Sequence, residues 1–498
     1  MIKTRKRECT VLYTILLISV SFITVFSKCS PLYGFNNSPD VTVIFEVGRR
    51  MFDGQLLYRD VIDQKGPFLF VIYGIASLIS DSSYIGLYFT EILFSFISLC
   101  FVYKTVSLKY DSKRSLLSTF FVACLMYCCP LNTYGGDTAE LMMMPFFVYL
   151  YYIGFRYVYK NVSIKPYEYL IVGITSGCVL WSKYTLLGIY IAWFIIPAID
   201  MIKEKNFKKL FSTCLIIAGG VLISTIPWII YFGVNNYFAD FINFYFIEQG
   251  KYYNKLALST GILFGIYRCF IYLAIPIVSF ISSLLIKKSK HQKIPKKLFL
   301  YDLLLFIILF IFIYIIGNGG KISYYFIQMF IFAIPGAIAL IYTFDNLFNK
   351  FDKSSIKKLN ILTVISVVAI GLTISFVTSS TIHYLGEDEE ETPYYQFSQY
   401  IKDSGVENPK ITGNCIDVAP FYKYMDCFED YKYVSPLNAA FPEMTEHYIS
   451  GIKNGDYDFI INYASEGDYD KTMYKSVKTV EYEYQGKKIN FYLYQKIT

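Results

Sequence analysis

Charge is what this sequence has least of. Lys, Arg, Asp and Glu make up 17% of its 498 residues, against about 25% in a typical soluble protein. The apolar set AVILMFWYC reaches 55%, with 48 Tyr and 44 Phe. That balance excludes both a soluble globular chain and a disordered one. Histidine is reduced to three scattered positions, and nine of eleven cysteines lie in or beside apolar runs, where Cys behaves as a small hydrophobe. No Cys/His metal site is expected. Cys415 and Cys427 alone sit in a polar tail, available for one disulfide if that tail is outside the cell.

Long apolar runs fill the first 380 residues instead, and they fit bilayer spans better than soluble cores. Lys3, Arg5, Lys6 and Arg7 precede a first run, Cys9 to Ser27, with no clean small-residue cleavage site after it. It is expected to be a retained anchor with its basic end in the cytoplasm. Further runs cover 84 to 103, 115 to 131, 141 to 158, 168 to 182, 184 to 199, 209 to 232, 261 to 286, 299 to 316, 322 to 343 and 361 to 380, making eleven. Five connections rich in Lys and Arg, within 104–114, 156–165, 203–209, 287–297 and 350–358, are all cytoplasmic only if the stretch Gly66 to Ser80 does not cross. Its 15 residues fall below the roughly 17 to 25 a spanning helix needs, so it is expected to lie on the outer surface.

Charge also separates the chain into two regions. Residues 381–498 hold 11 Lys/Arg against 20 Asp/Glu, a net of −9, which leaves +16 for residues 1–380. The expected architecture is an all-α polytopic membrane module over 1–380, with about 11 transmembrane helices plus juxtamembrane helices in its first outer loop. An acidic, extracytoplasmic α/β domain over 381–498 follows it. In that tail, helix-like 394–404 and 443–454 alternate with strand-like 410–414, 431–434 and 458–463 before a hairpin of 477–484 with 488–496.

The outer loops concentrate the polar chemistry. Ser38, Pro39 and Asp40 read as a helix start, with Ser at the N-cap, Pro at the first position and a carboxylate facing the positive end of the dipole. Val41, Ile44, Phe45, Gly48, Met51 and Phe52 then recur at helical spacing. Glu46, Arg49, Arg50 and Asp53 take the opposite face, an amphipathic pattern suited to an interfacial helix. After Gly54 comes a dense polar cluster of Tyr58, Arg59, Asp60, Asp63 and Lys65. Asp40 by itself is accounted for as a helix-capping acid and Arg49 as a snorkelling cation. Acids and a cation gathered beside lipid also suit a charged, lipid-linked substrate.

The run "DVTVIFEVGRRMFDGQLLYRDVIDQKGP", Asp40 to Pro67, resembles the first outer loop of the C-type (GT-C) membrane glycosyltransferases. Similarity is greatest to bacterial members related to the protein mannosyltransferases, the aminoarabinose lipid A transferases and the Rhizobium lipopolysaccharide core transferases. Asp40, Phe45, Arg49, Gly54, Tyr58, Lys65, Gly66 and Pro67 stand at the matching places. Downstream, "GGDTAELMMMPF" resembles the second outer loop, with Glu140 the first and Asp137 the second match to its acid. "LWSKYTLL" resembles a turn with a Lys, here Lys183, between two short spans, and "SYYFIQMFIFAIPG" resembles a late helix that opens on an Arg, His or Tyr pair.

That resemblance implies transfer of a sugar from a polyprenyl-phosphate donor to a glycan, lipid or protein acceptor at the outer membrane face, usually with inversion. Such a step requires a base for the acceptor hydroxyl and cationic help for the departing phosphate. By resemblance Asp40 is the candidate base or acceptor-orienting carboxylate, Glu140 the second candidate catalytic carboxylate, and Lys65, Lys183, Arg49 and Arg59 the candidate phosphate and donor ligands. A helix N-terminus favours the ionised carboxylate, which suits Asp40 to orienting the hydroxyl. Glu140 also reads as a solvated loop acid, and Lys183 as a cation facing water at the outer turn. Asp60, Asp63 and Asp137 are candidate acceptor or metal ligands, so a divalent metal stays open; no other cofactor and no nucleic-acid partner is indicated. The aromatic loop holding Tyr237, Phe238, Phe241, Phe244, Tyr245, Phe246, Tyr252 and Tyr253 reads as a bilayer belt, or as a wall for the isoprenoid or the sugar. Two competing classes remain: a transporter or flippase of lipid-linked glycans, and a polymerase or ligase of them. The first calls for repeated halves and charges within helices, the second for a late loop rich in Arg and His. The sequence displays neither a repeat nor a buried acidic ladder, and its longest late loop is aromatic.

Overall fold

A computed structural model describes residues 2–36, 38–127, 138–248, 251, 296–316, 323–351, 359–413, 420–421, 423–425, 432–434, 441–463, 466–484 and 487–497. Its helices are α1 (Ile2–Phe26), α2 (Pro39–Phe52), α3 (Pro67–Ser77), α4 (Ile85–Ser107), α5 (Ser112–Tyr127), α6 (Ala139–Met142), α7 (Met144–Lys160), α8 (Pro166–Lys183), α9 (Gly188–Lys203), α10 (Phe207–Val234), α11 (Phe238–Ile242), α12 (Lys296–Ile316), α13 (Ala333–Phe351), α14 (Ile361–Thr378), α15 (Pro393–Asp403) and α16 (Pro442–Asn454). Short 3-10 helices at Tyr184–Leu186 and Ser323–Phe332 lead into α9 and α13. The strands are β1 (Ile411–Gly413), β2 (Phe459–Tyr463), β3 (Tyr474–Tyr484) and β4 (Lys487–Lys496). Ten of the eleven apolar runs are therefore helical, and the run 261–286 lies outside the described residues.

Among the described residues six helices are long and apolar enough to cross a membrane. Helices α5 and α7, with 16 and 17 residues, extend about 24 and 26 Å against a hydrocarbon core of about 30 Å. The segments Pro166–Leu186 and Gly188–Lys203 meet at a bend of 117°. Helix α3 has only 11 residues, about 17 Å, in keeping with a stretch that does not cross.

The chain divides into two compact units, one of Met1–Ser27, Tyr88–Pro227 and Leu256–His383, the other of Lys28–Leu87, Trp228–Lys255 and Tyr384–Thr498. In the first, α5 packs against α1, α13 and α14, and α12 packs against α7 and α9. Helices α8 and α10 cross at glycines. A Cβ on Gly173 would stand 2.2 Å from the Ile217 carbonyl oxygen and 2.9 Å from the Gly220 Cα. Small residues let two backbones touch where both solvents, lipid and protein, are apolar and packing alone drives association. Trp181 Nε1 donates to Thr225 Oγ1 at 2.8 Å beside that crossing.

Residues of three basic connections meet at one place. Asn161 after α7, Asp200 and Glu204 at the end of α9, Lys209 at the start of α10 and Lys297 at the start of α12 line one cavity of about 320 Å³. At the start of α5, Arg114 Nε donates to Asp345 Oδ2 of α13 at 2.6 Å. Two acids inside apolar helices escaped the sequence reading. Glu91 in α4 is buried, and Asp302 in α12 accepts from the Tyr151 hydroxyl at 2.8 Å.

In the second unit a four-stranded sheet runs in the order β1-β2-β4-β3, with β1 parallel to β2 and the other pairs antiparallel. Phe397, Phe421, Phe459, Ile461, Phe491 and Leu493 build its main core. Phe35, far away in sequence, completes that core by stacking on Tyr394 at 4.9 Å. The expected strand at 431–434 differs: Tyr433 makes one isolated parallel bridge with Ile62, whose N–H donates to the Lys432 carbonyl at 2.7 Å. Cys415 and Cys427 lie outside the described residues.

Lys28 is buried beside this domain, its Nζ 3.2 Å from the Tyr384 ring centroid. Burial pulls its pKa down to about 7, against the raising influence of Glu387. The Tyr384 ring face attracts the buried cation in turn.

Two outcomes follow from these contacts. Gly173→Leu is expected to lower stability by at least about 1–3 kcal/mol, read as an earlier thermal transition in detergent, because backbone atoms of α10 occupy the space. For Lys28, the folded pKa lies below the unfolded one, so the unfolded chain holds the extra proton between about pH 7 and pH 10.5. The penalty is complete below pH 7 and fades as pH rises. Lys28→Met is therefore expected to melt higher than the parent at pH 6, with the gap narrowing towards pH 10 in paired melting curves.

Candidate functional site

The second unit carries the first polar centre. Ser38 stands at the N-cap of α2 without a side-chain cap, its N–H instead donating to Asn36 Oδ1 at 3.0 Å. Asp40 is left in the first turn with its carboxylate available to a partner from elsewhere in the loop. That partner is Lys65, whose Nζ donates to Asp40 Oδ1 at 3.0 Å and lies 3.8 Å from Asp63 Oδ2. Asp63 Oδ2 also accepts the Lys65 N–H at 3.1 Å. The side chains of Asp40, Lys65 and Asp63 are 27%, 14% and 4% exposed. The cation is thus held between a deep acid and one that opens outward.

Helix α2 supports this arrangement by packing on α3. A Cβ on Gly48 would meet the Gly74 N and the Phe70 carbonyl oxygen at 2.7 Å, so only glycine permits the approach. The polar side of α2 departs from the amphipathic expectation. Glu46 and Arg50 are buried, with Arg50 Nε donating to Glu46 Oε1 at 2.7 Å and Arg49 reaching the same carboxylate at 3.1 and 3.2 Å. Ion pairing lets these charges leave water, so this side of the helix packs within the protein. Arg49 is accordingly held by Glu46. Arg59 pairs with Asp60 at 2.9 Å, and Asp60 also accepts the Leu56 N–H at 2.9 Å. The Arg59 contact holds the Asp60 carboxyl below its ordinary pKa. Both serve the turn from Leu56 to Val61.

Tyr58 is the surprise in that turn. Its φ of 66° is in the left-handed region, a conformation costing an aromatic residue on the order of 1–3 kcal/mol. Its backbone is held on both sides: its N–H donates to the Val61 carbonyl at 2.7 Å, and its carbonyl accepts from the Tyr237 hydroxyl at 2.8 Å. The ring is buried among Phe70, Phe232, Phe241, Phe244 and Tyr245. Phe241, Phe244 and Tyr245 therefore do not form a bilayer belt, whereas Phe238 and Phe246 are exposed and Tyr252 and Tyr253 lie outside the described residues.

The first unit carries the second centre. Thr138 Oγ1 caps α6 by accepting the Leu141 N–H at 3.3 Å, which turns Glu140 inward. Glu140 is fully buried, and its Oε1 accepts from Lys183 Nζ at 2.7 Å. Lys183 lies 3.9 Å from the Tyr325 ring centroid and 4.8 Å from that of Tyr324. Glu140 is not a solvated loop acid, nor is Lys183 a cation facing water alone. Among the described residues Glu140 Oε2, Thr185 Oγ1 and Gln328 Oε1 are buried without a hydrogen-bond partner. Asp137 lies outside the described residues, and among those described no three His, Cys, Asp or Glu side chains gather as a metal site requires. The sequence shows Glu46 only as part of a polar face and gives no sign of Gln328. Only the Tyr324 and Tyr325 pair carried a signal there.

Residues 64–231, about a third of the chain, match the family model of dolichyl-phosphate-mannose-protein mannosyltransferases. That stretch contains Lys65, Glu140 and Lys183 and begins after Asp40. ArnT from Cupriavidus metallidurans in the apo state matches with a TM-score of 0.61 at 11% identity, over 98% of each chain. Its structure bound to undecaprenyl phosphate matches at 0.59 and 12%, over 97% of each. The fold is that of the C-type membrane glycosyltransferases. It bears out the resemblance carried by Asp40 to Pro67 and the expected helical architecture with a small C-terminal sheet. No curated protein matches the sequence.

In this GT-C fold the buried Glu140 and Lys183 depend on one another. Lys183→Met leaves an uncompensated carboxylate and is expected to cost about 3–5 kcal/mol. Glu140→Gln combined with Lys183→Met is expected to recover most of it, as thermal unfolding of the four forms in detergent reports.

Proposed function

We propose that this chain is an integral membrane glycosyltransferase that moves a sugar from a polyprenyl-phosphate donor to a cell-envelope acceptor at the outer face of the membrane, with inversion. The observation that carries the reading is the Lys65 ammonium set between Asp40 and Asp63, in a segment patterned like the first outer loop of C-type glycosyltransferases. Lipid-linked donors fit a fold shared with a protein solved with undecaprenyl phosphate.

The chemistry follows from that pair. The donor phosphate takes the Lys65 ammonium as its counterion, which releases the outward-opening Asp40 carboxylate to the acceptor hydroxyl. The acceptor oxygen forms a bond to the anomeric carbon while the bond from that carbon to the phosphate oxygen breaks. The hydroxyl proton passes to Asp40, and the electron pair leaves with the polyprenyl phosphate. Lys65, a compact charge on a flexible stem, meets the negative charge that develops on the leaving oxygen. Asp63 keeps Lys65 in register throughout. Glu140 and Lys183 supply a second buried acid and cation, with Lys183 a further candidate for the carrier phosphate.

The decisive experiment presents purified protein in lipid nanodiscs with a panel of labelled polyprenyl-phosphate sugars. Asp40→Asn is expected to retain carrier binding and lose transfer by about 10²–10⁴-fold. Unchanged transfer in that variant removes Asp40 from the mechanism. Movement of labelled lipid across proteoliposomes without product would replace the enzyme by a transporter.

A further inference from the structure

Lys65 needs more than its two acids to be useful, because a lysine on a loop has a flexible stem and a flexible backbone. Its main chain is held from a different direction. The Tyr58 hydroxyl donates to the Lys65 carbonyl at 2.5 Å, closing the stretch from Tyr58 to Lys65 into a ring of chain whose far side carries Asp63. Burial pushes the Tyr58 phenol well above its ordinary pKa, so it stays protonated and remains a donor. The donor is immobile because its ring has nowhere to turn. Phe241 lies 5.3 Å and Phe244 5.4 Å from it, centroid to centroid, with Phe232 and Tyr245 completing the enclosure.

The enclosure is tied outward as well. Phe244 stacks on Phe441 at 5.4 Å, and Phe441 on Tyr433 at 6.0 Å. Ile62, midway between Tyr58 and Lys65, donates its N–H to the Lys432 carbonyl at 2.7 Å. Leu57 donates to the Tyr231 hydroxyl at 3.3 Å, and Tyr237 holds the Tyr58 carbonyl. Tyr231 and Tyr237 thus hold the start of one short loop, and Lys432 holds its middle. Nothing in this set of contacts leaves the aromatic loop free to act as an isoprenoid wall at Phe241, Phe244 or Tyr245.

We infer that Tyr58 is a positioning residue for Lys65: its phenol fixes the Lys65 main chain from inside an aromatic cage, and through Lys65 it sets the affinity for a polyprenyl phosphate. This inference rests on the reading of Lys65 as the ligand of the carrier phosphate. Tyr58 touches no substrate. It acts by narrowing where the ammonium can go, which spares ordering cost when the phosphate arrives.

Binding of undecaprenyl phosphate to the full chain in nanodiscs tests it, for the parent, Tyr58→Phe, Lys65→Ala and the double variant. Tyr58→Phe preserves the caged ring and removes one donor. It is expected to weaken carrier binding about three- to tenfold and to lower the thermal transition slightly, the Lys65 carbonyl having lost its donor. In the Lys65→Ala background the same change is expected to have no effect, because a residue that works through another has nothing left to position. Tyr237→Phe, which loosens the same turn at the Tyr58 carbonyl, is expected to show the same pattern more weakly. Equal weakening by Tyr58→Phe in both backgrounds overturns the inference and makes Tyr58 a structural residue only. Loss of binding in Lys65→Ala alongside normal binding in Tyr58→Phe overturns it too, while leaving the role of Lys65 intact. Normal binding in Lys65→Ala removes Lys65 as the phosphate ligand and the inference with it.

Discussion

The ammonium of Lys65 between two carboxylates is the interaction around which the second unit is organised. Asp40 comes from the first turn of α2 and Lys65 from the end of the loop 25 residues later, so the contact closes that loop on itself. With Lys65 14% and Asp63 4% exposed, the cluster is largely withdrawn from water, so desolvation offsets much of its mutual attraction. Its value is that each charge keeps the other in a defined place until a charged headgroup displaces one of them. The expensive parts lie underneath: two helices touching through Gly48 and Gly74, a tyrosine in a left-handed backbone conformation, and a buried glutamate shared by two arginines.

Glu140 and Lys183 form the more deeply buried pair. Their carboxylate is wholly out of water, one of its oxygens meets no partner among the described residues, and two tyrosine rings cover the cation. A pair removed from water in this way costs more to break than an exposed one, and its geometry must be maintained by the helices that carry it. One unit therefore holds an exchangeable charge cluster, and the other a rigid one.

The helices were legible because an apolar run has few alternatives once it is long, and ten of eleven runs appear as helices near their expected limits. Asp40 and Lys65 were legible as members of one loop pattern, and the hairpin of β3 with β4 as two alternating runs. The errors have a common origin. Periodicity placed Glu46 and Arg50 on a polar face and assumed that a polar face is wet, but mutual pairing allowed that face to be buried. The aromatic loop was read as a belt because composition carries no information on what the rings surround. The tail segment around Tyr433 has strand-like residues, yet its partner is Ile62 and not the sheet.

The sequence by itself determined which stretches are helical and apolar, which connections collect positive charge, and that acids and lysines cluster in the loops. Those properties follow from hydrophobicity, backbone propensity and short-range spacing, all of which are local. Only the tertiary structure decided that Lys65 meets Asp40, that Lys183 meets Glu140, and that Tyr58 holds the Lys65 carbonyl. Each of those contacts joins residues that no helical or strand period relates. Their pairing depends on how the chain turns between them, and the turns are set by burial and backbone geometry summed over a whole unit.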